Sequence, residues 1–165
     1  MEIELWILLR LVIAAALSAL IGYEREIHGK EAGLRTHMLV AVGATLFVSF
    51  TDLFVIEYQP LAPPAPPGNF RLQVEPLTTV EAIVTGISFL GAGTIFVSGK
   101  RNRVHGLTTA ASIWVTAAIG IAVGLERYLL ATGGTVLIWL ILYVLGHLQI
   151  GPAKGAAGDE HSSFS

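Results

Sequence analysis

The sequence predicts an all-α membrane protein, a bundle of five transmembrane helices. Of its 165 residues, 53% are hydrophobic and only 13% are charged, about half the charged fraction of a typical soluble domain. The mean hydropathy is +0.69. Five apolar stretches are long enough to cross about 30 Å of hydrocarbon as helices of about 20 residues. They are roughly 4–22, 37–56, 77–97, 107–124 and 128–148.

These five stretches are predicted to form one transmembrane domain, residues 1–150. Because lipid offers the backbone no hydrogen-bond partner, isolated strands are excluded and the spans must be helical. The first span follows an acidic leader, MEIE, whereas a secretory signal begins with basic residues, so we predict a retained helix. The proline-rich connection at about 57–76 is an external spacer or a partner-binding segment. Residues 151–165 are predicted to be a short disordered tail.

Basic residues lie mostly on one side of the predicted bundle. Seven fall in the connections 23–36 and 98–106 and in the tail, against two on the opposite side. The seven are Arg25, Lys30, Arg35, Lys100, Arg101, Arg103 and Lys154. By the positive-inside rule, the N-terminus lies outside and the C-terminus is cytoplasmic. We therefore expect a multi-pass membrane protein whose charged connections face the cytoplasm.

Two connections on the cytoplasmic side resemble each other. GLRTH at 33–37 and HGLTTAAS at 105–112 both place Gly-Leu and then threonine where a span begins. Thr36 and Thr108 or Thr109 are therefore predicted N-caps, whose hydroxyls accept otherwise unpaired backbone N–H groups. A degenerate internal repeat of two helical hairpins is a further hypothesis.

The charges of these connections form a predicted network. Helix N-termini and basic side chains make this face positive, so it attracts anions, and anionic lipid head groups are the expected partner. Glu24 and Glu26 are interpreted as counter-charges to Arg25, Arg35 or a helix start, with a ligand site as the alternative. Two histidines, His37 and His105, would make the network pH-sensitive or serve as polar caps.

The third span contains the glycine-rich segment GISFLGAGT, residues 86–94. Small residues let helices approach closely in lipid, which favours tight packing of spans three and four. A broken helix that lines an ion or substrate path is the alternative. The positions concerned are Gly86, Gly91, Gly93 and Thr94, together with Gly120 and Gly124 of span four.

Three charged residues fall within predicted spans at similar depth near the outer boundary: Arg10, Asp52 and Glu81. An ionised side chain is costly in hydrocarbon, so we predict an Arg10–Glu81 contact with Asp52 at its margin. Snorkelling of Arg10 to the surface is the alternative. Acidic oxygens on this side suit Mg²⁺ or Ca²⁺; Mg²⁺ is the candidate ion, although no cofactor is assigned.

Catalysis is not expected. The chain has no cysteine, which excludes thiolate chemistry, and it shows no nucleophile–base set, P-loop or zinc spacing. A net charge of −2 gives no reason to expect nucleic-acid binding.

Three segments together resemble the membrane domain of the MgtC/SapB family. They are GYEREIHGKEAGLRTHMLVAVGA, GISFLGAGTI and VHGLTTAASIWVTAAIG, and the resemblance runs from about residue 15 to 124. Ser88 and His105 depart from the family's usual glycine and basic residue. Many relatives also carry a cytoplasmic C-terminal domain, and we expect no part of it within residues 1–165.

The resemblance implies an inner-membrane protein linked to growth at low magnesium and, in pathogens, to survival inside host cells. It implies action on a membrane partner, with the F-type ATP synthase as a candidate, and a homo-oligomer is a further expectation. The alternative is a transporter or channel for a small ion or solute that uses the third span.

Overall fold

The computed structural model describes residues 2–58, 76–98 and 103–147. Within them, five helices follow in the predicted order: α1 Glu2–Ile27, α2 Leu34–Tyr58, α3 Pro76–Gly93, α4 Leu107–Gly124 and α5 Tyr128–His147. Four of these, all except α3, are long and apolar enough to cross a membrane. The predictions for the proline-rich connection and for the tail fall outside the described residues.

The third predicted span is wrong at its end. The helix stops at Gly93, and two short strands follow, β1 Phe96–Ser98 and β2 Arg103–His105, paired antiparallel. The N–H groups of Thr94 and Ile95 bond to carbonyls three residues back, at 3.0 and 3.1 Å. This 3₁₀ turn closes a helix whose end is already weakened by two glycines. The all-α prediction therefore misses one β-hairpin.

The buried core lies where α1, α2 and α4 meet. One apolar cluster joins Ala14 and Ile21 of α1 to Ala41 of α2 and Val123 of α4. A smaller cluster attaches α3 through Ile83, which packs on Ala44, Val48 and Ala117. Helices α3 and α5 therefore lie at the periphery, each with one face against this core.

Glycines set the closest helix crossings. A Cβ at Gly22 would lie 2.7 Å from the Leu34 Cα, and one at Gly120 would lie 2.4 Å from the Ala41 carbonyl oxygen. A Cβ at Gly124 would lie 2.7 Å from the Val48 Cβ. Gly120 and Gly124 therefore pack α4 against α2, not against the third span as predicted.

The glycines of the third span are less crowded. A Cβ at Gly91 would meet Ala110 at an ordinary 3.6 Å, and Gly86 and Gly93 face open space. Of these three glycines, only Gly91 therefore takes part in the predicted packing of spans three and four, to which Ile83 also contributes through Ala117. The two ends of the bundle differ in their chemistry and are called the motif end and the far end. The motif end comprises residues 24–37 and 103–112, and the far end lies around Arg10, Asp52 and Glu126.

Candidate functional site

At the motif end, an ion pair is buried inside the helical bundle. Helix α1 continues to Ile27, which places Glu24 and Arg25 on the helix with only 2% and 3% of their surface exposed. Glu24 Oε1 accepts from Arg25 Nη2 at 2.7 Å, and Oε2 accepts from Nε. The His28 Nδ1 lies 3.2 Å from Glu24 Oε1. Because both charges are desolvated, each is needed to neutralise the other.

The predicted partner Arg35 is not part of this pair. It is exposed near the start of α2 and has no hydrogen bond or ion pair among the described residues. The arginine nearest in sequence to Glu24 therefore supplies the counter-charge.

Glu26 caps the next helix. Its Oε2 accepts the Leu34 N–H, the first of α2, at 2.7 Å. A Cβ at Gly33 would lie 2.8 Å from that oxygen, so the glycine gives the carboxylate access. Gly29 has φ +61, and Lys30 N–H bonds back to the Arg25 carbonyl at 3.0 Å, which closes α1 in a Schellman turn. Gly29 and Gly33 therefore allow the short, tight turn between α1 and α2.

The threonine caps predicted for both helices are wrong. Thr36 lies inside α2, and the N-cap of α4 is Gly106 with φ 85 and no side-chain cap. A Cβ on Gly106 would lie 1.9 Å from the Thr94 carbonyl oxygen, so only glycine fits between the hairpin and the helix. The threonines Thr108 and Thr109 fall in the first turn instead.

Thr109 joins the two segments of the motif end, residues 24–37 and 103–112. Its buried hydroxyl donates to Glu31 Oε2 at 2.9 Å. The backbone N–H of Glu31 and then the Thr109 hydroxyl lower the pKa of this carboxyl, with smaller contributions from Lys30 and His105. Glu31 thus stays ionised beside the positive N-terminus of α4.

His37 forms a second contact between the segments 24–37 and 103–112. It is fully buried, with Nδ1 2.8 Å from the Gly33 carbonyl and Nε2 3.1 Å from Ser112 Oγ on α4. A carbonyl can only accept, so Nδ1 carries a proton. The single Ser112 hydroxyl proton is shared between His37 Nε2 and the Thr109 carbonyl, which lies 2.8 Å from Ser112 Oγ. His105 has a different role, because its ring stacks on Phe96 across the hairpin with centroids 5.5 Å apart.

These elements enclose a cavity of about 550 Å³ at the motif end. Its polar wall carries Arg25, Lys30, Glu31 and His105 beside the first turn of α4. Its apolar wall is formed by Leu142 and Leu145 of α5 with their neighbours. The cavity therefore offers a charged region and an apolar region side by side.

At the far end, Arg10 is held by two carboxylates. Its Nη1 lies 3.4 Å from Asp52 Oδ2 and 3.3 Å from the Gly124 carbonyl, and its Nη2 bonds to Glu126. The predicted Arg10–Glu81 contact is wrong. Glu81 is exposed on the outer side of α3, because Ile83, on the opposite side of that helix, packs against the core.

Glu126 is the residue that sequence reasoning missed. It has φ 60 just after α4, while Arg127 N–H bonds to the Ala122 carbonyl at 2.8 Å, as in a Schellman turn. A glycine normally occupies this left-handed position. The sequence GLERY at 124–128 gave only one signal, a charged residue directly after a span.

A groove separates α2 from α3 on the surface. It has a volume of about 790 Å³, with Phe47, Phe50 and Phe54 on one wall and Gly43 and Gly86 also lining it. Gly86, a candidate for an ion path, therefore borders a surface groove. Among the described residues, no three His, Asp or Glu side chains are grouped to hold a metal ion.

Comparisons with known proteins agree on one family. The model of the MgtC family matches residues 11–150. The chain is 38% identical over 146 residues to the putative magnesium transporter YhiD of Escherichia coli K12, covering 86% of this chain and 61% of that protein. Protein SrpB of Synechococcus elongatus is 36% identical, over 85% of this chain and 75% of its own length.

Protein MgtC of Salmonella typhimurium is 40% identical over 133 residues, which cover 79% of this chain and 48% of that protein. The chain thus spans less than two thirds of YhiD and about half of MgtC. No solved structure matches it.

Proposed function

The chain belongs to the MgtC family, and from this membership we propose that it serves magnesium homeostasis, or adaptation to low magnesium, by contacting a membrane partner. It would do so as a multi-pass protein of the inner (plasma) membrane with its motif end in the cytoplasm, and without enzymatic turnover. The F-type ATP synthase is a candidate partner, and self-association into a homo-oligomer is compatible with this role.

One observation carries the proposal. Segments 24–37 and 103–112 meet at the motif end. Hydrogen bonds of Thr109 and His37 join the two segments, and a cavity lies between them. The buried pair Glu24–Arg25 and the closely packed glycines make this junction rigid. A rigid, charged surface at the membrane boundary suits recognition of another molecule.

Anionic lipid head groups are the proposed lipid partner of this end. Lys30 and His105 line the cavity beside the N-terminus of α4, and apolar side chains of α5 continue the wall toward the membrane. Basic residues near a membrane surface each contribute about 1 kcal/mol of attraction to anionic lipids.

Growth at limiting magnesium tests the proposal. A strain that lacks its own copy should grow poorly in low magnesium and recover with the wild-type protein. Lys30→Ala, which removes an exposed cavity cation, should recover less at equal membrane abundance. The matched control is Arg127→Ala, an exposed cation beyond α4. Growth that does not depend on the protein would contradict the proposed function.

Transport of a small ion or solute is the second candidate. The description of the related protein YhiD as a putative magnesium transporter favours it. So does the early end of α3 at Gly93, followed by a turn and a hairpin, since interrupted helices bind ions in transporters. This candidate predicts ion-specific flux through the reconstituted protein.

A further inference from the structure

The exposed side of α3 differs from an ordinary lipid-facing surface. The outer side of α5 is apolar, with Leu129, Leu137 and Leu145 exposed by 89%, 59% and 64%, as expected for contact with acyl chains. The outer side of α3 exposes Leu77 and Phe89 at its two edges, by 69% and 84%, and between them it carries a line of polar or small residues that are all exposed. We call them the α3 seam: Thr78, Glu81, Thr85, Ser88 and Ala92.

The spacing of the α3 seam suits another helix. Its members follow one another at intervals of three, four, three and four residues. This alternation places side chains along a line on which a second helix can pack with left-handed crossing. Small side chains at such positions allow the close backbone approach on which helix association in lipid depends.

The α3 seam offers hydrogen-bond acceptors. Thr85 Oγ1 already donates to the Glu81 carbonyl at 2.8 Å, and Ser88 Oγ donates to the Val84 carbonyl at 2.7 Å. Their hydroxyl oxygens therefore present lone pairs to a neighbour. The Glu81 carboxylate makes no hydrogen bond or ion pair with any described residue, so it is a third acceptor and carries the charge.

Glu81 lies slightly inside the far end. On the same helix, Thr79 contacts Thr51, the neighbour of Asp52, with their hydroxyl oxygens 2.7 Å apart. Glu81 is two residues further along α3, about 3 Å deeper. Ionisable side chains at such positions normally pair with an opposite charge or face protein.

We propose that the α3 seam docks a transmembrane helix of another protein, one that carries a lysine or arginine at the depth of Glu81. This inference rests on the proposed function, because that helix would belong to the membrane partner. A basic side chain supplies the donors and the positive charge that the seam lacks. Acyl chains supply neither. A second copy of this chain would bring another Glu81, and two carboxylates at close range repel each other.

Designed peptides test the pairing. The full-length protein, labelled with a fluorophore through Leu129→Cys on α5, is reconstituted in vesicles of phosphatidylcholine and phosphatidylglycerol. Two leucine–alanine transmembrane peptides are compared by energy transfer, identical except for lysine or leucine at the depth of Glu81. The lysine peptide should bind about tenfold more tightly than the leucine peptide. Glu81→Gln should abolish this preference.

Two further variants locate the site. Ser88→Trp, which fills the α3 seam, should weaken binding of both peptides, and Leu137→Trp on α5 should leave both unchanged. Equal binding of the two peptides, or a preference that survives Glu81→Gln, would overturn the proposal. Disulfide-linked dimers of Ser88→Cys at high lipid-to-protein ratio would also overturn it, because the seam would then hold a second copy.

Growth at limiting magnesium separates this inference from the proposed function. If wild type supports growth and Ser88→Trp supports it equally, the docking inference fails while the proposed function stands. If wild type does not support growth but the peptide preference is found, the proposed function fails while the α3 seam remains a docking surface.

Discussion

At the residue scale, the two least exposed arginines among the described residues, Arg25 and Arg10, each have carboxylate partners. Glu24 and Arg25 are almost fully buried together at the motif end. Arg10 at the far end has two half-exposed carboxylate partners, Asp52 and Glu126. The two ends should therefore respond differently to loss of a charge, since removing one member of a buried pair leaves the other uncompensated.

The far-end pairing gives a first prediction. Asp52→Asn and Glu126→Gln should each lower the free energy of unfolding by about 0.5–1 kcal/mol, because each removes a partner of Arg10. Glu81→Gln, the matched control on α3, should leave stability unchanged. Thermal unfolding in detergent measures all three, and a loss in Glu81→Gln larger than in the other two would contradict the Arg10 contacts described here.

The Glu31–Thr109 contact gives a pH prediction. Since folding lowers the pKa of Glu31, its stabilisation is complete above the ordinary value of about 4.3 and is lost as the pH falls through the lowered folded value. Glu31→Gln should therefore unfold at a lower temperature than wild type at neutral pH, and the gap should narrow in acid. A gap that stays constant to below about pH 3 would show that ionisation of Glu31 does not matter.

The sequence was informative about which residues matter at the motif end, and less so about their partners. The pattern around Glu24 and Arg25 indicated a charge network because charge is rare elsewhere in the chain. The threonine caps failed because cap preference is a local rule, whereas Gly106 is required by the carbonyl of Thr94, a contact made only in three dimensions. Glu126 was missed because its contact with Arg10 depends on a left-handed backbone conformation, which the sequence does not predict for a glutamate.

At the element scale, glycines determine how closely α4 approaches α2. Gly120→Ala places a methyl group 2.4 Å from the Ala41 carbonyl oxygen, a backbone atom that can retreat only if the helices separate. We expect a loss of about 1–3 kcal/mol. Gly133→Ala on α5 meets nothing within 4 Å and should be neutral or gain up to about 1 kcal/mol from helix propensity. Equal unfolding temperatures for the two variants would contradict this packing.

The helices themselves were largely predictable. The fourth span was predicted at 107–124 and α4 runs Leu107–Gly124, because both ends are marked by glycine and by a change in polarity. The third span was overextended, since Ile95, Phe96 and Val97 are as apolar as a membrane helix and hydropathy alone does not separate helix from strand. The rotation of α3 about its own axis could not be predicted from the sequence either. The predicted Arg10–Glu81 contact was therefore wrong, although the two residues lie at similar depth.

At the scale of the whole molecule, the orientation in the membrane is a further prediction. By the positive-inside rule, the basic residues predict that the motif end lies in the cytoplasm. Because the chain contains no cysteine, Lys30→Cys and Gly68→Cys can be labelled singly in intact cells with an impermeant thiol reagent. Gly68→Cys should react and Lys30→Cys should be protected. The reverse pattern would mean that the topology is inverted.

We propose that the protein serves magnesium homeostasis through a partner rather than by transport, and Mg²⁺ entry into reconstituted vesicles distinguishes these two roles. Purified protein is placed in vesicles that enclose a Mg²⁺-sensitive dye, with protein-free vesicles as the control. If the protein acts through a partner, Mg²⁺ should enter no faster than in the control. Saturable, Mg²⁺-specific entry that Gly86→Leu slows, by filling the groove between α2 and α3, would contradict it.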